Sequence, residues 1–322
     1  MLLPAEECDR LSLIFSCSLI IFCLRWLQLG SEQRSGTKRI QRDKKFSVKV
    51  GCQSLVYESK AHCVFVMDMV IPALFFFEGI AKHIASSGYG VYAIDHPGFG
   101  LSEGLHGYVP SFDGVVDNVI EQYMIIKGRP EIRGLPCFIF GQSMGGAIAL
   151  KALLKEPRQW DGIVLVAPMC KIAEDMTPPV PLQKVLIFLS KIIPQAKLVP
   201  QKDLADLAFR ELKKKEMAPY NVISYSDQTR LKTAVELLNA TKYIESHVQE
   251  VASPILILHG AADRVTDPQV SQFLYDNASS EDKTLKLYDG GYHCILEGEP
   301  DDRILTVLGD IISWLDTRCS LK

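Results

Sequence analysis

FIFGQSMGGAIAL, Phe138 to Leu150, is the stretch whose reading decides the fold. An apolar strand pattern ends at Gly141, and Gly141-Gln142-Ser143-Met144-Gly145 leads straight into a run of alanine and aliphatic residues. This is G-x-S-x-G in the context its chemistry requires: strand, sharp turn, helix. A serine hydroxyl is a poor nucleophile unless it is held exposed on a strained turn with a base beside it. The flanking glycines let the chain turn there and let other backbone approach. Ser143 is therefore the candidate nucleophile, and the Met144 N–H, at the start of the helix, is a candidate oxyanion donor.

Working outward, the same rhythm continues on both sides. Short apolar runs at Val91–Ile94, Cys137–Phe140, Ile163–Val166, Ile255–Leu258 and Leu285–Tyr288 read as strands of a parallel sheet covered on both faces. Helical periods lie between them, at Glu78–Ser87, Phe112–Lys127, Gly145–Lys155, Pro268–Asn277 and Arg303–Arg318. The alternation implies an α/β fold with a doubly wound, mostly parallel sheet over residues 46–322. One region breaks the rhythm. From about Lys171 to Thr241 there are helical segments punctuated by prolines and no strand pattern, as expected of a helical cap inserted between two strands. Within it, Val180–Pro194 (VPLQKVLIFLSKIIP) is apolar nearly all round, which suits either packing on the main domain or lining an acyl pocket.

A base and an acid should follow the serine in the order Ser, Asp, His. Asp263 lies in the loop after the strand of ILILHGAADRVTDP, and His293 follows the last strand in LKLYDGGYHCILEGEP. Both sit at C-terminal strand ends, where open α/β sheets place their sites. In that arrangement His293 takes the serine proton, and Asp263 fixes the imidazole tautomer and stabilises its cation. His259 and His96 also end strands, but they precede Gly and Pro in turns that read as structural. His62, His83, His106 and His247 lack an acid in the expected order. Asp267, just before Pro268, suits a helix cap better than a catalytic acid.

Composition excludes several other classes. The chain has 322 residues, 48% of them apolar, with a net charge of −3 and both signs well mixed, so there is no nucleic-acid footprint. Nine cysteines show neither CxxC nor metal-type spacing, and most lie in apolar surroundings and read as small buried hydrophobes of a reducing compartment. No phosphate loop, dinucleotide fingerprint or metal cluster is present, so neither cofactor nor metal is expected. Residues 1–45 form an apolar leader and a basic linker expected to lie outside the fold. The apolar run Leu11–Leu24 is shorter than the ~20 residues of a spanning helix, and acidic residues precede it where a signal peptide is basic. If it enters a membrane, the positive charges that follow it leave the main domain on the cytoplasmic side. A leader with no membrane role is the other reading, and both stay open.

The segments YAIDHPGFGLSEGLHGYVPSFD, GQSMGGAIALK, VLVAPMCKIAEDM, MAPYNVISY, LLNATKYIE and HGAADRVTDP together resemble the plant monoacylglycerol lipase and caffeoylshikimate esterase group of serine α/β-hydrolases. The likeness runs from about Phe75 to Arg318. It implies ester hydrolysis through an acyl-enzyme, with Ser143, Asp263 and His293 in the positions of the family triad and the helical insert as a substrate-selecting cap. Members of this group carry a His-Gly-x-Gly turn whose backbone supplies a second oxyanion donor. Here the corresponding residues, Met67 to Val70, read Met-Asp-Met-Val, which puts Met69 at the donor position. One set of codons for Val66–Leu74 (VMDMVIPAL) encodes His-Gly-Tyr-Gly-Asp-Thr-Cys-Thr when shifted by one frame. The expectation is that this segment is the family's oxyanion turn read out of frame, restored at Phe75–Phe77.

These residues lead to a serine hydrolase acting on a monoacylglycerol, lysophospholipid or related carboxylic ester. An acyltransferase with the same triad is one alternative; a weakly catalytic hydrolase-fold binding protein, its oxyanion turn disrupted, is another. The expected partner is a small acyl ester. The protein is expected in the cytoplasm, with membrane association through the N-terminal apolar run or the cap.

Overall fold

The computed structural model describes residues 47–48, 61–66, 77–130, 132–172, 179–198, 205–221, 224–225 and 227–319. The seven strands are β1 (Ser47–Val48), β2 (Ala61–Val66), β3 (Tyr89–Ile94), β4 (Cys137–Gln142), β5 (Gly162–Val166), β6 (Ile255–Gly260) and β7 (Lys283–Tyr288). They form one sheet in the order β1-β3-β2-β4-β5-β6-β7, with β1 antiparallel to β3 and every other pair parallel. Parallel neighbours need crossover connections. Helices α1 (Phe77–Ser86), α2 (Phe112–Lys127), α3 (Met144–Lys155) and α8 (Pro268–Asn277) supply them, and α9 (Asp301–Cys319) follows the last strand. Between β5 and β6 lie α4 (Val180–Ile192), α5 (Ala205–Ala208), α6 (Leu212–Met217) and α7 (Leu231–His247). The α7 helix runs unbroken through Thr241, the residue where the sequence pattern ended the insert.

Strand alternation divides the core. Ile139, Ile163, Leu165, Ile255 and Ile257 point to the face covered by α2, α3, α7 and α8. Phe138, Phe140, Val164, Val166, Leu256 and Leu258 point to the other face, against α1 and α9, where Trp314 and Ile311 pack. Both sets are buried, so β4, β5 and β6 read as continuous apolar runs instead of alternating ones. The edge strand β7 differs. Its residues are half-buried or exposed, and Lys286 bonds Asp310 of α9 at 2.6 Å, a charged edge that discourages pairing with another sheet.

Local chemistry sets the helix ends. Ser111 caps α2 by accepting from the Gly114 N–H at 3.2 Å. Asp267 caps α8 by accepting from the Gln269 N–H at 2.9 Å, with Pro268 at the first helical position, so it is a helix cap as its sequence context suggests.

Strand β2, whose Val64–Val66 open an apolar run fit for a buried strand, sits inside the sheet between β3 and β4. Chain order therefore reverses at β2, which makes the carboxyl ends of β2 and β4 the topological switch point of the sheet. Val66 is in register with Gly141, two residues before Ser143.

Candidate active site

Ser143 lies between the end of β4 and the start of α3 with φ 51° and ψ −119°, a conformation that costs a non-glycine residue energy. The surroundings hold it there. The Ser143 N–H donates to the Val166 carbonyl at 3.0 Å, and the Met169 N–H donates to the Ser143 carbonyl at 2.9 Å, so the turn is tied to the end of β5 on both sides. Glycine is required at two neighbours. A side chain at Gly141 would overlap the Gly145 carbonyl, and a Cβ at Gly146 would lie 2.7 Å from Pro168 Cβ. Gln142, the residue before the serine, is buried and donates to Glu297 Oε1 at 2.5 Å.

The structure brings Ser143, His293 and Asp263 into one hydrogen-bonded line. His293 Nε2 lies 3.0 Å from Ser143 Oγ, and His293 Nδ1 lies 2.7 Å from Asp263 Oδ2. A carboxylate can only accept, so Nδ1 carries the imidazole proton and Nε2 presents its lone pair to the serine hydroxyl. All three residues are buried, with Ser143 the most accessible at 9%. Burial by itself would raise the Asp263 carboxyl. Hydrogen bonds from His259 and His293 outweigh it and hold the group well below the usual carboxylate range. Its other oxygen accepts from the backbone N–H groups of Val265, at 2.7 Å, and Thr266, at 3.1 Å. Asp263 is thus fixed as an anion. This is a constellation that can draw a proton from a hydroxyl and hold the resulting cation.

The loop carrying His293 is fastened from two directions. Glu299, almost fully buried, accepts from the Tyr292 N–H at 2.8 Å and pairs with Arg303 Nε at 2.9 Å. From the insert, the Ala208 carbonyl accepts from the Cys294 N–H at 3.0 Å, and Arg210 Nη1 donates to the Gly290 carbonyl at 2.8 Å. The backbone N–H groups of Arg210 and Glu211 both donate to the Gly298 carbonyl. The segment joining α5 to α6 therefore braces the histidine loop.

Met144 opens α3, and the first N–H groups of a helix have no acceptor within it. The turn at 67–70, with Met69, lies outside the described residues. So does the leader over residues 1–45. The sequence pattern placed His259 in a structural turn, but its ring bonds Asp263 directly, Nε2 to Oδ2 at 3.0 Å. Thr266 also escaped notice; its hydroxyl lies 2.9 Å from Asp263 Oδ2 and 3.1 Å from His293 Nδ1. The only sequence signal for either was closeness to Asp263, because the loop after β6 curls back onto its own strand end.

Comparison with known proteins agrees with this architecture. Residues 58–301 match the family model Hydrolase_4, described as serine aminopeptidase, S33. Caffeoylshikimate esterase of Arabidopsis thaliana is 34% identical over 247 residues, covering 75% of this chain and 73% of that protein. Monoglyceride lipase of Homo sapiens is 31% identical over 246 residues, covering 75% of this chain and 78% of that one. The crystal structure of Paleococcus ferrophilus monoacylglycerol lipase superposes with a TM-score of 0.71 at 22% identity, over 82% of this chain and 96% of that chain, a likeness of fold. With residues 58–301 matched by the family model and three quarters of its length aligned with these relatives, the chain belongs to the Hydrolase_4 family and is an α/β-hydrolase of the monoglyceride lipase and esterase kind.

Proposed function

We propose that the protein hydrolyses carboxylic esters of the monoacylglycerol type, with Ser143 as nucleophile, His293 as general base and then acid, and Asp263 as the group that orients and stabilises the imidazole. The observation that carries this reading is the line of hydrogen bonds from Ser143 Oγ through His293 to Asp263. As Oγ attacks the ester carbonyl carbon, its proton passes to His293 Nε2 and the carbonyl oxygen takes the negative charge, facing the Met144 N–H. When the tetrahedral adduct collapses, the C–O bond to the alcohol breaks and His293 returns the proton to the departing oxygen. Water then attacks the acyl-enzyme, gives its proton to His293, and the acid leaves as the serine hydroxyl is restored. A second oxyanion donor belongs in this scheme to the turn at 67–70, around Met69.

The helical insert over about 171–241 acts in this reading as the cap that selects the substrate. Its α4 helix supports a lipid substrate by an inverted polarity. Gln183 and Ser190 are buried, whereas Val180, Leu182, Val185, Phe188 and Ile192 are exposed, Phe188 at 63%. Such a face suits contact with a lipid surface, through which the cap would meet an insoluble acyl ester. The apolar run Leu11–Leu24 is a second element through which the protein could reach a membrane. Among the described residues no helix is long and apolar enough to cross one.

A fluorophosphonate probe tests the chemistry. Labelling is expected in the wild type and absent in Ser143→Ala; no labelling of the wild type would instead favour a binding protein. Turnover on monoacylglycerols and on hydroxycinnamoyl esters, each with and without an added alcohol acceptor, tests the substrate. Free fatty acid as the main product is expected. Preference for hydroxycinnamoyl esters would overturn the lipid assignment, and transfer to the alcohol in place of water would make the protein an acyltransferase.

A further inference from the structure

His259 ends β6 with 0% of its surface exposed, and the reaction described above gives it no task. Its ring spans the space behind Asp263. Nε2 lies 3.0 Å from Asp263 Oδ2 and 3.0 Å from the Thr266 carbonyl oxygen, while Nδ1 lies 2.6 Å from the hydroxyl of Ser271 on α8. We propose that His259 is a positioning residue, a neutral Nε2–H donor that aligns Asp263 from behind and limits how strongly that carboxylate holds the proton on His293.

The neighbours fix the tautomer. Three groups lie within reach of Nε2: the Asp263 carboxylate and the Thr266 carbonyl, each at 3.0 Å, and the Thr266 hydroxyl at 3.3 Å. The two nearer ones can only accept, so Nε2 carries a hydrogen. At Nδ1 the partner is a hydroxyl, which can donate to a bare ring nitrogen. Among the described residues Ser271 Oγ has His259 Nδ1 as its partner, and Ser271 is fully buried. A second proton on Nδ1 would force that hydroxyl to turn its own hydrogen elsewhere in a dry site. The neutral ring satisfies every polar group; the cation does not.

Asp263 Oδ2 is then shared. It accepts from His293 Nδ1 at 2.7 Å, from His259 Nε2 at 3.0 Å and from the Thr266 hydroxyl at 2.9 Å. Among the described residues, the charged and titratable groups that act on this carboxylate are the two histidines, His259 from the end of β6 and His293 from the loop after β7. Elements packed beside them contribute uncharged groups: the Ser271 hydroxyl from α8, the Ala167 carbonyl from the end of β5, 3.2 Å from Thr266 Oγ1, and the Ser143 hydroxyl beyond His293. Each donor withdraws some negative charge from Oδ2. With His259 in place, Asp263 stabilises the imidazolium while holding its proton less tightly, which leaves that proton available for transfer. Without it, Oδ2 binds the His293 proton more strongly and the base becomes harder to deprotonate.

This inference rests on the Ser143–His293–Asp263 assignment, so the test includes Ser143→Ala beside His259→Leu and His259→Gln. In kcat/KM against pH, the acid limb of His259→Leu is expected to move upward by roughly half to one pH unit, with KM little changed. His259→Gln retains an amide donor and is expected to keep the limb at its wild-type position. A purely structural role would lower stability or kcat without moving the limb, so an unmoved limb in His259→Leu overturns the proposal. A limb that moves equally in His259→Gln overturns the neutral-donor role. An active Ser143→Ala protein would overturn the triad itself, whereas an inactive one beside an unmoved limb overturns His259 alone. Should His259→Leu fail to fold, nitrogen NMR of 15N-histidine-labelled wild type gives the answer directly. His259 is expected as the neutral Nε2–H tautomer through the whole titration of His293; a His259 that gains a proton in that range overturns the proposal.

Discussion

The proposed triad of Ser143, Asp263 and His293 could be singled out in the sequence because each belongs to a short local pattern: a glycine-flanked turn after an apolar run, or an acid or imidazole just past a strand. The site makes demands on them that can be measured. Replacing Asp263 by Asn keeps the shape but lets the amide donate, which favours the wrong imidazole tautomer. The expected cost is roughly 10⁴-fold in kcat, measured on a soluble short-chain ester. Gly146→Ala would drive a methyl into Pro168, behind the contact that holds the Ser143 carbonyl. Overpacking of this kind costs about 1–3 kcal/mol, so a lower urea midpoint and a loss of activity are expected together. His259 and Thr266 were not legible in this way. Their meaning depends on the loop after β6 closing back on its own strand and on a second loop arriving from β7, and no spacing within HGAADRVTDP records either event.

At the scale of elements, the strands and crossover helices follow from apolar period, and their observed ends lie within about two residues of the pattern, as boundaries usually do. The interior strand β2 was legible only at its end: from Val64 the sequence reads as an apolar run fit for a buried strand, but AHC, at its start, is small and polar. The insert misled in a subtler way. Its α4 helix is apolar almost all round, so composition could not say which side faces outward, and the buried side proves to be the polar one, where Gln183 Oε1 accepts from Lys242 Nζ of α7 at 2.9 Å. Phe188→Asp combined with Ile192→Asp should therefore leave thermal stability within about 0.5 kcal/mol of the wild type. Hydrolysis of monoacylglycerol presented in vesicles should fall at least severalfold, while turnover of a water-soluble ester should stay unchanged. Helix α7 is tied to the main domain by Thr233, whose buried hydroxyl accepts from the Val109 N–H at 2.9 Å and donates to the Gly107 carbonyl at 3.0 Å. Thr233→Val keeps the shape and strands both backbone groups. A loss of about 1–3 kcal/mol in denaturant unfolding is expected.

For the whole molecule, acid sensitivity follows from the same buried carboxylate. The Asp263 carboxyl titrates lower in the folded protein than in the unfolded chain. Its contribution to stability is therefore complete above about pH 4 and is lost as the pH falls toward the folded value. Urea midpoints at pH 5 and pH 3 should differ more for the wild type than for Asp263→Asn, which has no such proton to bind. The site also carries a consequence in time. The bond between His293 and Ser143 joins residues 150 apart in the chain. A ribosome making this protein completes the strained serine turn, and β2 through β4 beneath it, long before it makes His293, the base of the proposed reaction. In the proposed reaction the nascent polypeptide is thus chemically silent, and a product truncated ahead of His293 is expected to carry an inert hydroxyl. In refolding from denaturant, far-UV dichroism should recover first and ester turnover last, because the catalytic line closes only when the final loop and α9 dock.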